Sequence, residues 1–381
     1  MTQLAVSELA LPPLSGAKLW WIQIKAVIRL EMKKTFFARR GLWIYVLALL
    51  PLLLFIGHAL VVSHDRNRSG DIAGRGEKKL TYQDLLAVKT GMTGEEVVAL
   101  LGRPPVHLHW RERKRLESGA LENISHEGYR YSDGGNDLFV DLSDDKVIAL
   151  RLQDGFNVSE DSIVFAGVFQ FFYLRLAIFF GCLGIFMNLF RGEILDKSLH
   201  FYFLAPIRRE VLMVGKFLAG LLATCAIFVT SEFLQIVVFT GQLSPNLRDL
   251  YLYQNHGLTQ AAAYLGVTAL ACLGYGAFFL AAGMLFRNPI LPAAGILIWE
   301  AINPFLPALL KKFSVMYYLK SLCPVEIPVP PGTPPVLSLL VSNPDPVSAP
   351  VAILSIVIVA SLVLYVSSFQ VRRMEINYTS E

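Results

Sequence analysis

The chain has 381 residues, 54% of them hydrophobic and 17% charged, with a mean hydropathy of +0.50. That is too apolar for an ordinary soluble domain, and the apolar residues come in blocks of about 20 or more, the length that crosses a bilayer. The net charge of +4 excludes little by itself. The four cysteines (Cys182, Cys225 and Cys272 in apolar runs, Cys323 in a loop) have neither disulfide-framework nor zinc-site spacing.

Residues 1–17 lack a basic start and a long apolar core, so they read as a cytoplasmic tail rather than a signal peptide. From Lys18 to Phe36 the pattern is amphipathic. Lys18, Lys25, Arg29 and Lys33 fall on one helical face and Trp20, Ile24, Val27 and Leu30 on the other, which predicts an interfacial helix. Residues 1–40 are thus expected to be a tail and an interfacial elbow. Residues 41–62 form the first predicted span; Lys33, Lys34, Arg39 and Arg40 before it place the N-terminus inside by the positive-inside rule.

Residues 63–163 differ in kind and predict a small α+β domain outside the cytoplasm, inserted between the first and second spans. Residues 64–79 are rich in glycine and charge and read as a linker. Thr93 and Glu96 have capping-box spacing and open a short helix closed by Gly102 and Pro104. Three strand-like segments follow: HEGYRYS, NDLFVDLS and KVIALRL, joined by hairpin turns at DGGN and SDDK.

Further spans are predicted at 164–190, 217–240, 261–286, 290–310 and 350–369, giving six with both termini inside. Between the second and third lies 191–216, RGEILDKSLHFYFLAPIRREVLMVGK, too charged for hydrocarbon. Its Ile194, Leu195, Leu199, Tyr202 and Phe203 recur at helical spacing, and Pro206 ends or kinks that helix. Two readings stay open for this stretch: docking to a cytoplasmic partner, or lying on the lipid surface. Residues 311–348 are expected outside, as an interfacial helix (KKFSVMYYLKSL) and a proline-rich loop, and residues 370–381 as a cytoplasmic tail anchored by Arg372 and Arg373.

No phosphate loop, H-E-x-x-H or G-x-S-x-G motif is present, so no catalytic residues are expected and ATP is not bound by the P-loop route. His107, His109 and His126 have no acidic or cysteine partner at ligand spacing, so no metal site is expected either. Arg175, Glu232 and Glu300 are ionisable groups inside predicted spans, where such groups seldom face lipid. At about 1.5 Å per residue, Arg175 and Glu300 each lie roughly 15–16 Å from an end of their spans, near mid-membrane. Arg175 is therefore expected to pair with Glu300, or with Glu232 as second choice. The pair would hold helices together or line a substrate path.

Two resemblances add to this reading. The runs KTGMTGEEVVALLGRPP and YRYSDGGNDLFVDLSDDKVIALRL, within residues 82–152, resemble the small lipoprotein of the outer-membrane barrel-assembly machinery, which implies a helix on a three-stranded sheet and a protein-contact role. The elbow, the six spans and the cytoplasmic R-G-E-I-L-D-K-S-L-H-F-Y-F-L-A-P-I-R-R-E stretch with its G-K resemble the ABC transporter type-2 permease family. That resemblance implies a permease subunit, of an exporter, in the inner (plasma) membrane. Glu193, Leu195, Leu199, Phe203, Pro206, Arg208 and Arg209 would belong to its coupling helix. Two copies of a separate ABC ATPase would carry ATP and magnesium, leaving no cofactor in this chain, and a second permease chain would complete the unit. Nothing implies a nucleic acid. The alternative is a membrane-anchored scaffold whose exterior domain recruits an envelope protein.

Overall fold

The structure, a computed structural model, describes residues 16–37, 41–115, 121–143, 145–154, 158–195, 202, 204, 207–243, 248–286, 288, 290–329, 334 and 347–372. Among the described residues five helices are long and apolar enough to cross a membrane: Leu42–Arg75, Asp161–Glu193, Arg209–Gly241, Gly257–Leu285 and Ala349–Arg372. By length and composition these make the chain a helical membrane protein. Its described residues fall into two compact units. One lies within Met1–Leu52, Phe165–Ile236 and Leu252–Glu381, the other within Leu53–Val164 and Val237–Tyr251.

In the first unit, α1 (Gly16–Phe37) is the amphipathic helix the sequence predicts. It is followed by the first turns of α2 (Leu42–Arg75). The next long helix begins as α5 (Val158–Gly167), widens into a π-helical stretch over Val168–Ile178, and returns to α-helix as α6 (Phe179–Leu195). The helices α7 (Arg209–Gly241), α8 (Gly257–Leu285) and α12 (Ala349–Arg372) complete the long elements.

Small residues set how closely these helices approach, as expected where lipid supplies no hydrophobic drive for helix association. A Cβ added to Gly276 on α8 would fall 2.5 Å from Cζ of Phe186 on α6, and one on Gly283 would fall 3.1 Å from the Met187 backbone. Around this contact Phe179, Tyr275 and Phe279 meet edge to face, with ring centroids 5.3 and 4.9 Å apart.

The predicted fifth span takes a different course. The α-helix α9 covers Ile290–Ile302, a 3-10 turn occupies Asn303–Phe305, and a short helix, α10, covers Ala308–Lys311. Pro304 and Pro307 lack the N–H groups that would continue the ladder, and Asn303 Nδ2 donates to the Lys311 carbonyl at 3.1 Å across the break. Ile290–Phe305 is apolar but shorter than the five long helices. The expected interfacial helix also differs. Ser314 caps α11 (Val315–Ser321), whose Val315, Met316, Tyr317, Leu319 and Lys320 are buried. It packs on α8 at Gly274, where an added Cβ would meet Val315 Cγ1 at 3.0 Å.

The second unit carries a four-stranded antiparallel sheet in the order β1-β2-β3-β4: Val106–Arg115, Leu121–Ser132, Asn136–Ser143 and Lys146–Asp154. The last three are the strands read from sequence. The first was missed because its run HLHWRERKR, on an edge strand, is mostly charged and polar. The helix α4 (Gly94–Leu101) starts at the expected capping box: Thr93 N–H donates to Glu96 Oε2 at 2.9 Å and Glu96 N–H to Thr93 Oγ1 at 3.3 Å. A second box, Thr81 with Asp84, starts α3 (Tyr82–Leu86). Leu85, Val97 and Leu101 from these helices bury against Tyr131, Leu138, Val140, Leu142 and Val147 of the sheet. Residues 64–75 are not a linker, because α2 runs on to Arg75. Buried Ile72, and Ser69 donating to Asp137 Oδ2 at 3.0 Å, override the weak helix propensity of Gly70 and Gly74.

Two outcomes follow from this packing. Gly276→Ala should lower the thermal stability of the detergent-solubilised chain by roughly 1–3 kcal/mol, since the Phe186 ring must move. Gly266→Ala on the same helix meets nothing within 4 Å and should be neutral or stabilise by up to about 1 kcal/mol. Equal melting of the two variants would contradict the contact. Separately, residues 64–154 expressed without the apolar helices should give one cooperative thermal transition, because the sheet and its two helices share a core of their own. A non-cooperative melt would show that core to be insufficient.

Candidate functional site

The first unit holds a cluster of charged groups, three of which the fold removes from water. Lys216, near the start of α7, has no exposed surface, and Glu31 on α1 and Glu193 at the end of α6 are buried beside it. The Lys216 ammonium donates to Glu31 Oε1 at 2.6 Å and to the Leu189 carbonyl at 2.9 Å, and lies 2.8 Å from Glu193 Oε2. Two hydrogen bonds and one further carboxylate in ion-pair contact thus surround the ammonium. Lys34, one turn along α1 from Glu31, donates to Glu193 Oε1 at 2.9 Å and to the Tyr202 hydroxyl at 2.8 Å. Tyr202 in turn donates to Glu31 Oε1 at 3.0 Å. Its ring lies under both ammonium groups, 4.7 Å from Lys216 Nζ and 5.1 Å from Lys34 Nζ. Burial, then the charges of Glu31 and Glu193, push the Tyr202 hydroxyl above its ordinary range, so it stays protonated and donates.

Two carboxylates and two ammonium groups leave the cluster neutral, which makes such burial tolerable. Local sequence builds it. Glu31 is the only acid on α1, among Lys18, Lys25, Arg29, Lys33 and Lys34. Gly215 lets α7 approach α1: an added Cβ there would fall 2.9 Å from Val27 Cβ. The next residue, Lys216, is thereby brought to Glu31.

The predicted coupling residues divide. Glu193 lies in the cluster. Leu195 is the last residue of α6. Leu199, Phe203 and Pro206 fall outside the described residues. Arg208 places its guanidinium 5.3 Å from the Trp20 ring centroid on α1, and Arg209 donates to the Arg372 carbonyl at 2.9 Å. Arg372 closes the connection by pairing with Glu210, so the end of α12 is tied to the start of α7.

No protein-family model, curated protein or solved structure matches the chain.

The intramembrane charges do not form the expected pair. Among the described residues no ion pair joins Arg175 to Glu300 or to Glu232. Glu300 instead accepts from Ser314 Oγ, from the Val315 N–H at 3.0 Å and from the Met316 N–H at 3.4 Å. Three donors at the start of α11 satisfy this carboxylate, a competitor that the comparison of depths ignored. Arg175 sits on the π-helical stretch, 5.6 Å from the Phe171 ring centroid, with no hydrogen bond at Nε. Glu232 is fully buried, and neither of its oxygens has a hydrogen-bond partner. Sequence reasoning missed Glu31, Lys34 and Lys216 as a set, although a lone acid on a basic helix was a usable signal. Among the described residues one group offers metal-ligand chemistry: His107, His109 and Glu127 on the sheet.

Lys216→Met removes the shared cation and leaves Glu31 and Glu193 buried. It should destabilise the chain by about 3–5 kcal/mol, read as a thermal-melt shift in detergent. Adding Glu31→Gln to Lys216→Met should recover part of the loss. A wild-type melt for the single variant would show that the cluster carries no net interaction.

Proposed function

We propose that the chain is the permease subunit of an ATP-binding-cassette transporter, an exporter driven by a separate ATPase. The ionic cluster carries this reading, because it ties Tyr202, in the segment between α6 and α7, to two long helices and to α1. Tyr202 hydrogen-bonds to α1, while Lys34 and Lys216 link α1, α6 and α7 through shared carboxylates. A loop that docks on a moving partner needs such a rigid attachment to pass displacement into the bundle.

The loop also offers something to dock. Leu204 is 79% exposed, two residues from anchored Tyr202. Arg208 is exposed beside Trp20 of α1, which is itself 43% exposed. An exposed apolar side chain, together with an exposed arginine stacked on an aromatic ring, suits a protein surface, where aromatic and arginine side chains are favoured contacts. In this reading the loop and both termini face the cytoplasm of the inner membrane, the sheet unit faces the other side, and two permease chains work with two ATPases. The scaffold alternative assigns no work to the cluster.

Leu204→Asp should leave the melting temperature within about 0.5 kcal/mol of wild type, as surface changes do. It should abolish co-purification of an ATPase subunit from native membranes, together with ATP hydrolysis linked to the chain. Wild-type chain that purifies from those membranes with no ATPase, and stays monomeric, would overturn the permease reading in favour of the scaffold.

A further inference from the structure

The sheet brings together three side chains that the sequence keeps apart. His107 and His109 are two residues apart on β1, so their imidazoles leave the same face. The register of β1 against β2 places Glu127 directly opposite His109, with Tyr129 opposite His107. Glu127 is therefore the cross-strand neighbour of one histidine and the diagonal neighbour of the other, both within reach of its side chain. No local spacing announces this group, because the carboxylate lies on another strand.

The distances fit coordination. His107 Nε2 lies 3.1 Å from Glu127 Oε2, and His109 Nδ1 lies 3.6 Å from Oε1. The two imidazole centroids are 4.1 Å apart, and one ligand atom from each of the three residues can be chosen with all within 4.8 Å of one another. Tetrahedral zinc, with nitrogen and oxygen ligands at about 2.0–2.2 Å, requires ligand atoms spaced about 3.3–3.5 Å apart. Side-chain rotation alone closes the remaining gap, since the strands hold the backbone. The Tyr129 hydroxyl donates to Glu127 Oε2 at 3.4 Å and its ring meets that of His107 edge-on at 4.9 Å, so one neighbour supports two ligands.

We infer that His107, His109 and Glu127 form a binding site for a zinc-class divalent cation. Two imidazoles and one carboxylate suit borderline transition ions rather than calcium or magnesium, which prefer all-oxygen sets. Three protein ligands leave a fourth position. The ligand side chains are 40%, 60% and 43% exposed, so that position opens to solvent and can take water or a donor from a second molecule. The ion would also clip β1, an edge strand, to β2. This inference is independent of the transport reading.

The test uses the full chain in detergent, stripped with a chelator, dialysed against zinc and analysed for metal per chain. Wild type should retain one zinc more than His107→Ala/His109→Ala, and Glu127→Gln should bind at least tenfold more weakly. Calcium and magnesium should not be retained. X-ray absorption of zinc-loaded wild type covers the case in which the double variant fails to fold: it should show only nitrogen and oxygen neighbours at about 2.0–2.2 Å. Sulfur neighbours would place the zinc on the free cysteines and overturn the assignment. So would equal zinc on wild type and a folded double variant, or none on wild type, leaving His–Glu ion pairs only.

Discussion

Lys216 has no contact with water, and the base of the helical unit is arranged around that fact. Removing an ammonium from water costs several kcal/mol, and the same holds for each carboxylate beside it. The arrangement is tolerable because Lys216 has three partners: it donates to Glu31 Oε1 and to the Leu189 carbonyl, and Glu193 Oε2 lies beside it as an ion-pair partner. Its worth lies in register more than in net stability. A slide of α7 by one residue moves Lys216 about 1.5 Å along the axis and turns it by more than a quarter of a turn, out of reach of all three partners. The cluster thus fixes how α1, α6 and α7 meet, and Gly215 beside Val27 permits the approach that the ion pairs require.

The other buried carboxylates are handled differently. Glu300 accepts the side-chain and backbone donors of Ser314, Val315 and Met316, so its charge meets the start of a helix rather than a cation. That contact orders the chain after the proline break and draws α11 into the interior. Glu232 has neither solution. It sits on α7 between Ser231, which donates to the Ala48 carbonyl at 2.5 Å, and Gln235, which donates to Ser231 at 3.2 Å. Polar neighbours on one face of α7 thus bond to backbone or to each other and leave the carboxyl without a partner, a placement that carries a desolvation cost.

What the sequence disclosed and what it withheld follow one division, between local and distant chemistry. The Thr93–Glu96 cap, the Gly102 terminus with φ of +84° and the Asp133–Asn136 turn are decided within four or so residues, and each was legible. The long apolar helices were legible for the same reason, since hydropathy is a property of a window. Contacts across the chain were not. Glu31 meets Lys216 from 185 residues away, and the pairing of His107 with Glu127 depends on a strand register that charge obscured. The expected Arg175–Glu300 pair shows the limit clearly: matching depths along two helices omitted a third segment that carried better donors. The linker reading of residues 64–79 failed likewise, because Asp137, which holds Ser69 and so the helix through Gly70 and Gly74, belongs to the sheet.

Stiffness is the property that separates the cluster from the apolar packing around it. At an effective dielectric of 20, lengthening one ion pair from about 2.8 to about 3.8 Å costs roughly 1.5 kcal/mol, whereas a carbon–carbon contact gains only about 0.1–0.2 kcal/mol even at its best separation. Displacing Tyr202 strains its hydrogen bonds to Lys34 and Glu31 first, and those partners share carboxylates with Lys216. An apolar contact would absorb the same displacement by sliding. Displacement of Tyr202 therefore reaches α1, α6 and α7 together, and the neutral charge balance lets the group shift as one body without exposing an unpaired charge. The Arg209 and Glu210 contacts with Arg372 add α12 to that body at the start of α7.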